Sequence, residues 1–204
     1  MKTPMGSRNN SPDRCKDCQL RKDLCICEFI PSIDLKTKII VLIHHQETKR
    51  TSNTGKLAHM VLKNSELRVR GLKDNPMDTV GLLSPERQAV LLFPTDDAID
   101  LTSEFIQQFD KPLTLIVPDG NWRQASRMPN RVVQLANLPR VKVPLTKPTE
   151  YRLRNEPRTE GLATFEAIAR ALGIIEGPEV QEKMEFIFKM KVERTLNSRG
   201  MSHA

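Results

Sequence analysis

The 204-residue chain predicts an α/β fold, with a mostly parallel sheet and helices on both faces. Three observations carry this reading. Short β-rich apolar runs recur: KIIVLI at 38–43, AVLLF at 89–93, LTLIV at 113–117 and RVKVPL at 140–145. Segments with helical spacing of apolar residues alternate with them. The third run passes into Pro118-Asp119-Gly120 and then a helix-compatible stretch without a spare residue. Such a strand-to-helix loop is where parallel sheets place their ligands.

Taken in order, residues 1–12 are polar, hold no apolar signal-peptide core and read as a disordered lead-in. All four cysteines follow, as Cys15-x2-Cys18-x6-Cys25-x-Cys27. With no secretory signal, disulfides are disfavoured. Four thiolates within reach of one point match a closed tetrahedral zinc site, with a redox pair and an iron–sulfur cluster as rivals. The tight Cys25-x-Cys27 pair can bind only if the chain turns. A closed site leaves no open position for chemistry. Residues 13–30 are therefore expected to be a structural module carrying Arg14, Lys16, Arg21 and Lys22 toward RNA.

The first strand ends in His44-His45, which alternation sends to opposite faces of the sheet, so a metal-binding histidine pair is disfavoured. A polar loop then leads to a helix expected over 56–63. The second strand closes on Pro94-Thr95-Asp96-Asp97, where Asp96 or Asp97 is expected to cap a helix reaching about Phe109. After the third strand the turn delivers the carboxylate of Asp119, then Trp122 and Arg123. An acid, a flat aromatic face and a planar cation suit chemistry on a nucleobase or nucleoside cofactor. The alternative is ordinary turn chemistry with Trp122 as core. Residues 146–161 form a long Arg- and Pro-rich stretch of the kind that is usually functional. Thr164 opens a helix with Glu166 in its first turn, where a carboxylate suits the dipole. A last amphipathic helix is expected over 179–196.

Composition bounds the function. The net charge is +7, from 32 Lys and Arg against 25 Asp and Glu, interspersed rather than segregated. A folded protein with a basic face favours phosphate-bearing partners. No apolar run approaches the roughly 20 residues that span a bilayer, so no membrane partner and a cytoplasmic location are expected. Neither G-x-G-x-x-G nor a Walker loop is present, which disfavours a dinucleotide-binding Rossmann protein and a P-loop ATPase.

The motifs in sequence are the cysteine cluster, then His44-His45-x-Glu47-x2-Arg50-x2-Asn53-Thr54-Gly55, Leu92-Phe93-Pro94 and Asp119-Gly120-Asn121-Trp122-Arg123-Gln124-Ala125. Tyr151-Arg152-Leu153-Arg154 and Leu162-Ala163-Thr164-x-Glu166-Ala167 complete them. In this order they resemble the DTW-domain proteins, the tRNA-uridine aminocarboxypropyltransferases, over nearly the whole chain. One position departs: the family's Asp-x-Thr-Trp has Asn121 as its third residue here, and Asn also caps helices well.

The resemblance implies a SPOUT-like catalytic domain over 31–204 with a C-terminal trefoil knot that binds S-adenosylmethionine. It implies transfer of the 3-amino-3-carboxypropyl group to the imide nitrogen of a tRNA uridine, the variable-loop uridine in bacterial relatives, with methylthioadenosine released. A SPOUT methyltransferase and a non-enzymatic zinc RNA-binding protein are the alternatives. On this reading Asp119 is the base or imide-orienting group, or a ligand for the donor's ammonium, and Trp122 stacks a ring or walls the pocket. Phe93, Pro94, Thr95, Pro118, Gly120, Leu145, Leu162 and Thr164 are the expected donor-binding positions. Arg50, Asn53, Arg123, Arg127, Arg152 and Arg154 are the expected tRNA contacts, because Arg can clamp phosphate with two hydrogen bonds. Cys15, Cys18, Cys25 and Cys27 are the expected zinc ligands. A zinc module can supply the RNA grip of a second subunit, so a monomer is expected, with a dimer as the alternative.

Overall fold

The computed structural model describes residues 13–72, 74–144, 148–151, 153 and 161–201. Among the described residues there are six strands: β1 (Lys38–His44), β2 (Ser65–Arg70), β3 (Gln88–Leu92), β4 (Ile99–Asp100), β5 (Leu113–Asp119) and β6 (Arg140–Lys142). Five α-helices accompany them: α1 (Gly55–Val61), α2 (Ser103–Ile106), α3 (Trp122–Arg131), α4 (Thr164–Ile175) and α5 (Pro178–Asn197). The strands form one sheet in the order β2-β1-β5-β3-β6-β4, and every pairing is parallel.

A parallel sheet must be covered on both faces, and the alternation of the central strands does this. Ile39, Val41, Val90, Leu92, Leu115, Val117 and Val141 point into one core. There they meet α1, α2, α4 and α5. Ile40, Leu42, Leu91, Phe93 and Ile116 point into the other, against Ala125 and Met128 of α3. All seven residues of β5 are buried. The chain after β1 therefore crosses one face, through α1, while the chain after the adjacent β5 crosses the other, through α3. That divergence opens a crevice at the strand ends, where ligands of α/β sheets bind.

The cysteine segment is packed into the first core rather than held apart from it. Cys18, Leu20 and Ile26 are buried among the residues of α1, α4 and α5. Lys191 of α5 is bonded to the Cys18 carbonyl and Arg194 to the Cys25 carbonyl. Arg194 also lies over the Phe29 ring, 5.0 Å from its centroid. No helix among the described residues is long and apolar enough to cross a membrane.

The structure departs from the sequence expectations at several elements. β5 continues through Pro118 and Asp119 because β1 runs beside it to the rung Ile43–Asp119. β3 has ended its pairing at Ile116, so the N–H that Pro118 lacks costs no rung there. The helix expected from Asp96 or Asp97 to Phe109 is only Ser103–Ile106. Residues 99–100 instead join the sheet edge beside β6, and Thr102 caps the helix by accepting from the Phe105 amide. Strands β2 and β4 were not expected. SELRVR is a half-buried edge strand whose charged residues mask its period. His44 and His45 do not lie on opposite faces. The strand ends at His44 and the chain turns, leaving their rings 4.7 Å apart. The region that decides the trefoil knot includes 145–147 and 154–160, outside the described residues.

Candidate active site

The crevice at the strand ends holds a cavity of about 330 Å³. Its walls come from the end of β3 (Phe93, Pro94), the end of β5 (Pro118 to Gly120), the end of β6 (Lys142 to Pro144) and the start of α4 (Gly161 to Thr164). Small-molecule pockets begin at roughly this size.

Asp119, the last residue of β5, is buried in the cavity floor with 4% of its surface exposed. Both carboxylate oxygens are engaged: Asn53 Nδ2 donates to Oδ2 at 2.5 Å and Thr164 Oγ1 donates to Oδ1 at 2.5 Å. The Asn53 amide is itself fixed, because its Oδ1 accepts from the Lys56 backbone amide at 3.2 Å. Asp119 therefore sits at the N-terminal ends of α1 and α4, whose amide dipoles favour an anion there. Donors to the ionised form, each of order 1.5–3 kcal/mol, also hold it charged. Lys56 adds a cation in the field of Asp119. Burial lowers its ammonium pKa and the Asp119 charge partly restores it.

This packing explains Gly55. A Cβ at that position would lie 2.7 Å from Asp119 Oδ2. Any side chain there would collide with the carboxylate. Gly120 is constrained similarly, since a Cβ would lie 2.9 Å from that of Gln124. The next residue shows that the departure from Asp-x-Thr-Trp keeps the local structure. Asn121 Oδ1 accepts from the Gln124 amide at 2.9 Å and Gln124 Oε1 accepts from the Asn121 amide at 2.9 Å, a complete capping box. That cap starts α3 so that Trp122 faces the cavity, its ring 5.1 Å from Phe93 and tilted 38°.

A second tie had no warning in the sequence beyond its place in a motif. Glu166 was expected to serve the helix dipole, yet it is buried and gathers the preceding segment. It accepts from Thr149 Oγ1 at 2.5 Å, from the Glu150 amide at 3.1 Å and from Arg170 Nη2 at 2.8 Å. The same Arg170 nitrogen donates to the Pro148 carbonyl at 2.9 Å. The tie seats Tyr151, whose hydroxyl donates to the Ser52 carbonyl at 3.0 Å beside the cavity. Tyr151 also stacks on Phe188 at 6.1 Å, so the pocket wall and the core share one ring stack.

Among the expected site residues, Asp119 and Trp122 line the cavity, as do Phe93, Pro94, Pro118, Gly120, Leu162 and Thr164. Thr95 lies one step beyond the wall, its amide donating to the Phe93 carbonyl. Asn53 is in the cavity wall, bonded to Asp119, rather than on an outer face. Arg50 is half exposed and paired with buried Glu47 at 3.2 Å. Arg123 and Arg127 are exposed on α3. Leu145, Arg152 and Arg154 lie outside the described residues.

The four cysteine sulfurs lie within 4.8 Å of one another. Cys15 and Cys27 are separated by 3.5 Å and Cys18 and Cys25 by 3.7 Å. Metal–sulfur bonds of about 2.3 Å in a tetrahedron place sulfurs about 3.8 Å apart, so the donor set fits one metal ion. Two short turns of 3-10 helix, Lys22–Leu24 and Cys27–Phe29, fold the Cys25-Ile26-Cys27 pair inward. Of the four basic residues assigned to this module, Arg21 is bridged to Asp23 and Arg14 donates to the Gln19 carbonyl at 3.0 Å, while Lys16 and Lys22 are exposed.

A family model for the DTW domain matches residues 12–196. The chain belongs to the DTW domain family. It is 27% identical over 183 residues to a Drosophila melanogaster protein named tRNA-uridine aminocarboxypropyltransferase 2, covering 86% of this chain and 72% of that one. It is 29% identical to tRNA-uridine aminocarboxypropyltransferase A of Arabidopsis thaliana, covering 87% and 79%. A Macaca fascicularis relative, tRNA-uridine aminocarboxypropyltransferase 2, is 23% identical, and there the match spans 56% of the relative's length.

Gly55→Ala tests the site geometry. Gly to Ala near a helix start ordinarily stabilises by up to about 1 kcal/mol. Here the collision with Asp119 reverses the sign, and urea unfolding is expected to show a loss of about 1–3 kcal/mol. A more stable variant would mean that Asp119 is not held against α1.

Proposed function

We propose that the chain is a tRNA-uridine aminocarboxypropyltransferase that takes its group from S-adenosylmethionine. The observation that carries the reading is the buried carboxylate of Asp119, doubly hydrogen-bonded at the floor of a cavity in a DTW-family fold. The names of relatives that cover most of this chain support it.

The cavity fits the donor in kind. It combines an apolar and aromatic wall, Phe93 and Trp122, with backbone from three strand ends and the cation of Lys142. Bound there, the donor supplies an electrophilic carbon beside its sulfonium. A carboxylate has about four acceptor sites, and Asp119, at the cavity floor, is placed to receive the imide N–H of a uridine. Its bonds to Asn53 and Thr164 fix the carboxylate as an orienting acceptor. It aims the imide nitrogen and stabilises the positive charge that builds there as the nitrogen attacks. The nitrogen–carbon bond forms, the carbon–sulfur bond breaks with its electron pair going to sulfur, and the imide proton passes along its hydrogen bond to Asp119, which releases it to bulk water once product has left. Trp122 and Phe93 exclude solvent and offer ring faces for stacking.

The four cysteines are proposed to hold zinc in a closed structural site. It would supply no chemistry to the reaction and would fix the segment against Lys191 and Arg194 of α5.

The decisive test incubates the protein with unmodified tRNA and S-adenosylmethionine and analyses the nucleosides by mass spectrometry. An aminocarboxypropyl adduct on uridine, with methylthioadenosine released, is expected. A methyl adduct with adenosylhomocysteine would replace the reaction by methyl transfer. Asp119→Asn is expected to lower kcat by about 10²–10³-fold, and unchanged turnover would remove Asp119 from the mechanism. For the metal, inductively coupled plasma analysis should give one zinc per chain. Stripping it with a chelator should lower Tm by several degrees, at about 2–4 °C per kcal/mol lost. An unchanged Tm in the metal-free protein would contradict a structural role.

A further inference from the structure

The outer face of α3 and the adjoining ends of β1 and β2 carry positive charge without compensation. Arg123, Arg127 and Arg131 are exposed on α3, four residues apart, so they share one side of the helix at steps of about 6 Å. Arg123 follows Trp122, which lines the cavity, so the row starts at the pocket mouth. At its far end stands Arg70, the last residue of β2 and the rung partner of His44. The His45 amide donates to the Arg70 carbonyl at 2.8 Å, and a Cβ at Gly71 would lie 3.0 Å from His44 Nε2 and 3.1 Å from His45 Cδ2. Strand ends and helix are tied together by Gln124 Nε2, which donates to Gln46 Oε1 at 2.8 Å.

Arg70 is half-buried, and burial, followed by the charge of Arg131, holds it below the usual guanidinium range. His44 is lowered by burial and then by His45, with Arg70 adding to the effect. Among the described residues none of Arg70, Arg123, Arg127 and Arg131 has an ion pair. The carboxylate acting on His44, that of Glu47, is buried and paired with Arg50. Like charges kept together by the fold with no internal anion need an external one.

We propose that Arg70 and Arg131, with His44 and His45, clamp a phosphate of the bound tRNA, and that Arg127 and Arg123 lead its backbone from that clamp to the pocket mouth. This rests on the reading that tRNA is the substrate and adds the path by which it reaches Asp119. Arg suits the clamp because its planar fork can give a phosphate two bonds.

The test measures binding of an unmodified tRNA transcript to the full chain over a range of salt concentrations. Arg70→Gln and Arg131→Gln are each expected to weaken binding about five- to tenfold at low salt. Each should also make the plot of log affinity against log salt shallower by roughly 0.7–0.9, as for one lost phosphate contact. Arg131→Gln alters an exposed side chain and keeps the test open if the half-buried Arg70 variant fails to fold. Lys183→Gln and Lys189→Gln remove equal charge from exposed positions on α5, on the other side of the sheet, and should leave the slope unchanged. Equal losses in the α5 and α3 variants, or wild-type binding by Arg131→Gln, would overturn the clamp. The nucleoside analysis of wild-type protein separates the two ideas. Product with no effect of the arginine variants removes the clamp and keeps the reaction. Arginine-dependent binding with no product keeps the clamp and removes the reaction.

Discussion

The Asp119 carboxylate is the fixed point of this molecule. It is buried at the end of a strand with no exposed residue, and an anion in that position survives only if its charge is met locally. Asn53 and Thr164 meet it directly, and the starts of α1 and α4 meet it through their dipoles. The arrangement constrains its surroundings in turn. Gly55 must lack a side chain, the Asn53 amide must point one way, and the α4 helix must begin at Thr164. Three segments far apart in the chain are thereby locked onto one group.

The sheet sets where that group lies. Alternation along β5 sends Leu115, Val117 and Asp119 toward the face of α1 and α4, while Ile116 and Pro118 point the other way. Because α1 and α3 leave adjacent strands toward opposite faces, the floor of the crevice is polar and held by one layer of helices. Its aromatic wall, Trp122 on Phe93, belongs to the other. A site with an ionised floor and a flat apolar wall is suited to a substrate that is itself part ring and part charge. The Glu166–Arg170 tie, which seats Tyr151, closes the third side from the main core. The cysteine segment contributes to that same core through Cys18, Leu20 and Ile26.

Much of this was legible in the sequence, for identifiable reasons. The central strands could be read because burial on both faces leaves continuous apolar runs, as in 38–43 and 113–117. SELRVR could not, because a half-buried edge strand alternates with charge and imitates a surface loop. The sequence overstates the helix after Pro94 because a two-residue edge strand has no periodicity to display. At the site, Asp119 and Trp122 stood out from the strand-to-helix junction, and the cysteines from their spacing. The roles of Asn53, Gly55 and Thr164 did not. Asn53 lies 66 residues from Asp119 and Thr164 lies 45, and no local pattern encodes a contact made across the fold. Asn53 was accordingly expected among the tRNA contacts, although its amide is bonded to a buried carboxylate. The position of Glu166 in the first turn of a helix shows only its fit to the dipole, and its partners at 149–150 belong to irregular chain.

A crystal structure of the chain with S-adenosylmethionine would examine the arrangement most directly. Density for the donor between Phe93, Gly120 and Thr164, with its amino-acid portion directed to the Asp119 floor and both Asp119 hydrogen bonds intact, is the expected result. Donor density elsewhere on the molecule, or an Asp119 turned away from Asn53 and Thr164, would contradict it.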